Sequence, residues 1–205
     1  MFKSIFLLLI VVTALFSAPI HQAATEGNIK AMELELSNGI DVNLLNEHGQ
    51  TPLDLAIYNE HEKMAELLIK KGAKPNIEME NGQTALFIAS YIGDNKMIML
   101  LLQNGAIINM KDNNGDTPLH KAAEGGSASA IRLLVEYGAK VNAQNDHKAT
   151  PLHVAAQLNN EDAVWALVKS GASNKFVNDE GLSASDISDE EDYGRITKII
   201  EKYAK

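Results

Sequence analysis

The sequence predicts an all-α repeat solenoid of stacked helix-turn-helix units with extended, hairpin-like turns. Three observations carry this prediction: a motif that recurs at a constant interval along the chain, helix start and stop signals at fixed places in each repeat, and an aromatic content of only 5%. With so few rings, the core must consist mainly of aliphatic side chains and alanine, which favours layered helices. A repeat of this kind is one supersecondary unit that needs its neighbours for stability.

The repeated motif opens with a small residue, usually threonine. The segments that share it are TPLDLAI from Thr51, TALFIAS from Thr84, TPLHKAA from Thr117, TPLHVAA from Thr150 and a weaker SASDISD from Ser183, all evenly spaced. Extending the frame backward by one repeat aligns APIHQAA from Ala18 with the same pattern. The predicted repeats are 18–50, 51–83, 84–116, 117–149 and 150–182, followed by a C-terminal capping repeat at 183–205.

One repeat illustrates the helix signals. Thr117 is a predicted N-cap, and Pro118 suits the first helical position because its missing N–H costs nothing there. Two glycines at 125–126 end this helix, and apolar residues within 131–135 give the next helix a buried face. Gly138 then predicts a left-handed C-terminal residue. Each repeat should therefore contain two short antiparallel helices and a turn.

This spacing, together with the T-P-L-H-x-A signature, resembles the ankyrin repeat family over residues 18 to 205. The resemblance implies a solenoid whose turn tips and first helices line a concave groove that binds protein partners. It also implies a structural role for His21, His120 and His153 at the fourth motif position, with hydrogen bonds within and between turns. Lys148 stands where the other turns have glycine, and we expect it to distort its turn.

The N-terminus has the pattern of an export signal. Lys3 precedes twelve residues, Ile5 to Phe16, of which only Thr13 is polar, and this length suits a secretory leader better than a spanning helix. We predict a signal peptide at 1–17, cleaved near 14–18 after Ala14 or Ser17, and a secreted or periplasmic protein. The alternative is an uncleaved segment that tethers the scaffold to a membrane.

Composition and the absence of catalytic motifs disfavour several classes of function. A formal net charge of −9 disfavours binding to nucleic acid, and the absence of cysteine excludes disulfides and thiolate metal sites. No nucleophile elbow, phosphate-binding loop or paired zinc histidines occur in the sequence, so we predict neither an enzyme nor a cofactor. No histidine pair has the i, i+4 spacing of a metal site.

The repeat frame places an acidic groove with an aromatic centre on the first helices and turn tips. Its predicted partner-binding residues are Tyr58, Tyr91, Ile92, Glu124, Leu158, Glu47, Glu80, Asn114, Asp116, Asp146 and Asp179. We therefore expect a monomeric, non-catalytic scaffold for a protein partner, and the acidic groove favours a basic one. Two alternatives stay open: an accessory protein of an envelope enzyme that binds a ligand or metal, and acidic tips that serve only solubility.

Overall fold

The computed structural model describes residues 19–204, which form twelve helices and no strands within that range. The signal peptide predicted at 1–17, Ala18 and Lys205 lie outside the described residues. The helices are α1 Pro19–Thr25, α2 Ile29–Ser37, α3 Pro52–Tyr58, α4 Glu62–Lys70, α5 Ala85–Ile92, α6 Asn95–Gln103, α7 Pro118–Glu124, α8 Ala128–Glu136, α9 Pro151–Gln157, α10 Glu161–Lys169, α11 Ala184–Glu190 and α12 Gly194–Tyr203.

These helices fall into two compact units, one ending at Glu80 and the other beginning at Asn81. In the first unit α1 packs against α2 and α3, and α3 packs against α4. In the second unit α5, α7, α9 and α11 pack on one another in chain order, and α6, α8, α10 and α12 form a second row. The second unit is therefore a two-layered stack of helix pairs.

The first helix of each pair begins where the motif predicts it. Thr51, Thr117 and Thr150 are N-caps in extended conformation, each followed by proline in the first turn. Fully buried alanines in these helices, Ala122 and Ala123 in α7 for example, let the first helices of the second unit approach closely. Helices of seven residues are too short to be stable alone, so packing between neighbours holds them in place.

The turn tips are closed loops of five residues, which we call fingers: residues 46–50, 112–116, 145–149 and 178–182. In each finger the first residue donates its N–H to the carbonyl of the fifth, at 2.9 Å. The side-chain oxygen of that first residue, an asparagine or aspartate, accepts from the N–H groups of the third and fifth residues. The N–H groups of the first, third and fifth residues are thus satisfied within the finger, as turn-forming Asx residues allow.

Main-chain hydrogen bonds connect successive fingers of the second unit. Asp146 donates its N–H to the Asn114 carbonyl at 3.0 Å, and Asp179 donates to the His147 carbonyl at 2.9 Å. The base of the fingers is connected differently: Asn109 accepts from the N–H of Lys140 and Asn142 from that of Ser173, both at 2.9 Å. The asparagine that recurs once in each repeat therefore joins neighbouring repeats, a role that its recurrence alone did not reveal.

The prediction that Lys148 distorts its turn is wrong. Its φ is +57°, the left-handed conformation that Gly115 and Gly181 adopt at the same place in their fingers. The finger keeps its closing bonds, with Asn145 N–H to the Ala149 carbonyl at 2.9 Å. A lysine in this region is strained but allowed, and the loop that Asn145 closes holds it there. The sequence frame therefore stays valid at His147 and Lys148.

The last helix pair has one apolar and one polar side. In α12 the side chains of Ile196, Ile199 and Ile200 are buried, whereas Lys198, Glu201 and Lys202 are exposed. Tyr203 packs on Trp165 of α10, with ring centroids 5.0 Å apart, and the ammonium of Lys169 lies over both rings. A helix of this kind suits the open end of a stack, where one face is buried and the other meets solvent.

Candidate functional site

The three motif histidines are buried and hydrogen-bonded. Nδ1 of His120 accepts from the N–H of Thr117 at 3.1 Å, so it carries no proton and also accepts from the Thr117 hydroxyl at 2.9 Å. Nε2 then carries the proton and donates to the Ala149 carbonyl at 3.1 Å. His153 repeats this arrangement with Thr150 and Leu182. Burial lowers the pKa of both histidines, which keeps them neutral.

His21 makes the cross-turn bond only. Its Nε2 lies 2.8 Å from the Leu44 carbonyl, while its buried Nδ1 has no hydrogen-bond partner among the described residues. The motif residue three positions earlier is Ala18, which has no hydroxyl to offer. His120 and His153 therefore connect a helix to a finger, whereas His21 connects α1 to the segment before finger 46–50. All three side chains are buried.

Asp54 occupies the same motif position in α3. One carboxylate oxygen accepts from the N–H of Thr51 at 2.8 Å and from its hydroxyl at 2.7 Å. Burial raises the pKa of Asp54 to about 6, although both hydrogen bonds from Thr51 act to lower it. This perturbed acid lies within a helix cap, so its shifted pKa has a structural cause.

The apolar residues predicted for the partner surface are accessible. In the first unit the Tyr58 side chain, at the end of α3, is 67% exposed. In the second unit Tyr91 is 52% exposed and Leu158 49%, and Ile92 is half-buried. All three of these lie at the C-terminal ends of helices in the first-helix row, where large exposed apolar groups are candidates for partner contact.

A glycine fixes the position of the Tyr91 backbone. A Cβ atom added to Gly125, just after α7, would overlap the carbonyl oxygen of Tyr91. The ends of α5 and α7 can approach this closely only because residue 125 lacks a side chain. The missing side chain at Gly125 therefore allows the end of α5, with Tyr91, to lie close against the next helix pair.

The polar residues predicted for the same surface, all acidic except Asn114, are accessible to different degrees. Glu47 and Glu80 are exposed in the first unit, and Asn114, Asp146 and Asp179 are exposed on fingers of the second. His147 and Asp179 form an exposed pair at 3.1 Å. Asp116 and Glu124 are only half-accessible, because both contact the same lysine.

That lysine, Lys121 of α7, was not among the predicted site residues. Its ammonium lies 3.3 Å from Asp116 and 2.8 Å from Glu124, with 16% of its side chain exposed. Burial acts to lower the pKa of Lys121, but the Glu124 hydrogen bond and the Asp116 charge outweigh it and the pKa is raised. Lys121 therefore partly neutralises the charge of two carboxylates, Asp116 and Glu124, that the sequence predicted to be available for partner binding. Only the fold brings Asp116, at the finger end, next to a lysine in the helix.

Within residues 19–204, a metal site would require clustered ligands and a membrane span would require a long apolar helix. No group of three or more histidine and carboxylate side chains in this range is placed to share a metal ion. The carboxyl of Asp112 instead closes a finger and accepts from Gln83 at 3.0 Å. None of the described helices combines the length and apolar character needed to cross a bilayer.

Comparison with known proteins agrees with this architecture. The family profile described as ankyrin repeats in three copies matches residues 4–79 and 86–179, well over half of the chain. The chain belongs to the ankyrin repeat family. Ankyrin repeats are typical scaffolds for protein–protein interaction rather than enzymes, so the function in its broad outline is binding of a protein partner.

One curated protein shares a short stretch with this ankyrin-repeat chain. Over 49 residues the chain is 45% identical to the ARF GTPase-activating protein Git of Drosophila melanogaster. The shared stretch is 24% of this chain and spans only 7% of the length of Git. The match is too limited to transfer the activity in that protein's name.

Proposed function

We propose that this protein is an exported, non-catalytic scaffold that binds its partner through the exposed side chains of its first helices and fingers. The observation that carries the proposal is the exposure of Tyr91 and Leu158 at the ends of first-row helices whose leucine and alanine side chains are buried. Tyrosine is enriched among the residues that dominate binding energy at protein interfaces. Nothing in the packing of α5 requires an exposed ring at position 91.

Charge favours a basic partner. Asp146 and Asp179 are exposed on consecutive fingers of the second unit, and Glu47 and Glu80 are exposed in the first. Complementary charge speeds encounter and selects between partners more than it adds affinity. We therefore assign the tyrosines the larger share of the binding free energy and the carboxylates the choice of partner.

The binding test compares tyrosines from the two helix rows. Tyr137 follows α8 of the second row and is 43% exposed, close to the exposure of Tyr91. We expect Tyr58→Ala with Tyr91→Ala to weaken binding by more than about 2 kcal/mol, and Tyr137→Ala to leave it unchanged. The measurement is calorimetric titration with a partner identified by photo-crosslinking from position 91. Equal affinity of the double variant and the wild type would overturn the proposed surface.

Export is tested by the mass of the mature protein. We expect cleavage after Ala14 or Ser17, because helix α1 begins at Pro19 and its residues Ile20 and His21 are buried. Cleavage after Ala24 would remove nearly all of α1 and expose the helices packed against it. Intact-mass spectrometry of protein from the native source measures the cut. Retention of Met1 in a membrane fraction would favour the tethered alternative.

A further inference from the structure

A cleft in the second unit lies between the last two fingers and two first helices. Its volume is about 320 Å³, and its walls come from fingers 145–149 and 178–182 and from helices α9 and α11. The two fingers are joined by the Asp179 N–H to His147 carbonyl bond, and each is closed by its own hydrogen bonds. The finger backbone that frames the cleft is therefore fixed by hydrogen bonds.

The lining of this cleft is apolar in part and otherwise strongly acidic. Val154, Leu182 and Ile187 contribute half-buried apolar surface. Four exposed carboxylates also line it: Asp179, Glu180, Glu190 and Glu191. No lysine or arginine is among the lining residues, and the one positively chargeable exposed group is His147, which is paired with Asp179.

The neighbouring repeat shows how the chain itself fills a comparable position. Val154 occupies the motif position in α9 that Lys121 occupies in α7. Lys121 buries most of its stem in α7 and brings its ammonium to the carboxylates of Asp116 and Glu124. Beside Val154 the counterparts of Asp116 and Glu124 are the uncharged Ala149 and Gln157, and the cleft takes carboxylates from the last repeat instead. Glu190 and Glu191 have no ion-pair partner among the described residues.

We propose that this cleft binds a basic side chain, lysine or arginine, from the protein partner. The apolar lining accommodates the aliphatic stem, as long basic side chains commonly require, and the carboxylates meet the charged end. The inference rests on the proposed protein-binding function and gives it a specific subsite.

The probe for this subsite is N-acetyl-argininamide, with N-acetyl-lysinamide beside it and N-acetyl-citrullinamide as the neutral comparison. We expect the two cations, but not citrulline, to shift the backbone amide resonances of residues 179–191 in a saturable titration. Glu190→Gln with Glu191→Gln should weaken this binding by about tenfold. Asp189→Asn with Asp192→Asn changes the same net charge on exposed residues that do not line the cleft, and should leave it within about twofold.

A second variant tests the role of Val154. Val154→Lys places a cation where Lys121 stands in the preceding repeat, and we expect it to abolish the shifts while the spectrum stays dispersed. Equal responses to citrulline, or shifts that persist in both Val154→Lys and the Glu190→Gln, Glu191→Gln variant, would overturn the assignment. Because the probe is a single amino-acid derivative, that failure would leave the tyrosine-based partner surface standing. Conversely, unchanged partner binding by the Tyr58→Ala, Tyr91→Ala variant would not affect the titration of the cleft with these amino-acid derivatives.

Discussion

Helices α7 and α3 begin with the same three motif residues but differ at the fourth, which is His120 in one and Asp54 in the other. Both side chains are buried, and both accept from the N–H and hydroxyl of the threonine that caps the helix. The histidine has a second nitrogen that also donates to the following finger. The aspartate, within the described part of the chain, bonds only to its own cap.

Burial acts on the two groups in opposite directions. It lowers the pKa of His120 and raises that of Asp54, because in each case it favours the uncharged form. At neutral pH histidine is already in the form that the site prefers, whereas aspartate must be ionised at a cost. Either residue satisfies the hydrogen-bond geometry at this position. For the aspartate, however, the contribution to folding stability depends on pH.

The largest expected effect comes from removing the histidine. His120→Ala should destabilise the second unit by about 4 kcal/mol, because it leaves a cavity and takes the partners from Thr117 and Ala149. Asp54→Ala should cost only about 1 kcal/mol at pH 7, since it also removes a buried charge. Urea unfolding measures both costs. Trp165 fluorescence follows the unfolding of His120→Ala, and circular dichroism follows that of Asp54→Ala.

His48 provides the control for these alanine variants. Its side chain is 69% exposed and contacts Glu47 at 3.7 Å, so His48→Ala should change stability very little. A cost for Asp54→Ala equal to that for His120→Ala would contradict the distinction between a connector and a simple cap.

The next largest effect is a pH dependence at Asp54. Its pKa rises from 3.8 unfolded to about 6 folded, so between these values the folded state binds more protons than the unfolded state. Stability from this group is therefore present at low pH and lost as pH rises through 6. Asp54→Asn has no such loss, and its stability relative to wild type should improve by about 2 kcal/mol from pH 4 to pH 7.

The measurement is urea unfolding of both proteins across this pH range. Because all other ionisable groups are the same in both proteins, their contribution cancels in the difference. A difference that is flat between pH 4 and pH 7 would show that Asp54 is not held protonated by burial.

The smallest expected effect is a difference in stability cost between substitutions of the two capping threonines, Thr51 and Thr117. Thr51→Val should cost about 2 kcal/mol at pH 7, because the lost hydroxyl donates to an ionised carboxylate, whereas Thr117→Val should cost about 1 kcal/mol. At pH 5 the two costs should converge as Asp54 becomes protonated. Unfolding of each variant at both pH values gives the test, and a Thr117→Val cost that exceeds the Thr51→Val cost at pH 7 would reverse the comparison.

Much of this fold could be predicted from the sequence because its signals are local. The threonine caps, Pro118 after Thr117 and the left-handed Gly138 each depend on neighbouring residues, and all three are confirmed. The structural role of His120 followed from a family resemblance and is also confirmed.

The site was less predictable because its chemistry depends on distances across the fold. The pairing of Lys121 with Glu124 is an i, i+3 contact that the sequence could have indicated, whereas its contact with Asp116 needs the junction of finger and helix. The cleft beside Val154 is lined by residues from three repeats. The behaviour of Lys148 was missed for another reason: the side-chain bonds of Asn145 hold the turn regardless of what residue adopts the left-handed conformation.

The main-chain bonds between fingers have a consequence for how recognition can change. The N–H groups of Asp146 and Asp179 join their fingers to the preceding ones, so these joints do not require a particular side chain, although the Asp179 carboxylate adds a contact to His147. Substitutions at these positions can alter charge and shape while the distance between consecutive tips stays fixed. A binding surface of this kind can be given new specificity one residue at a time, without a compensating change elsewhere in the stack.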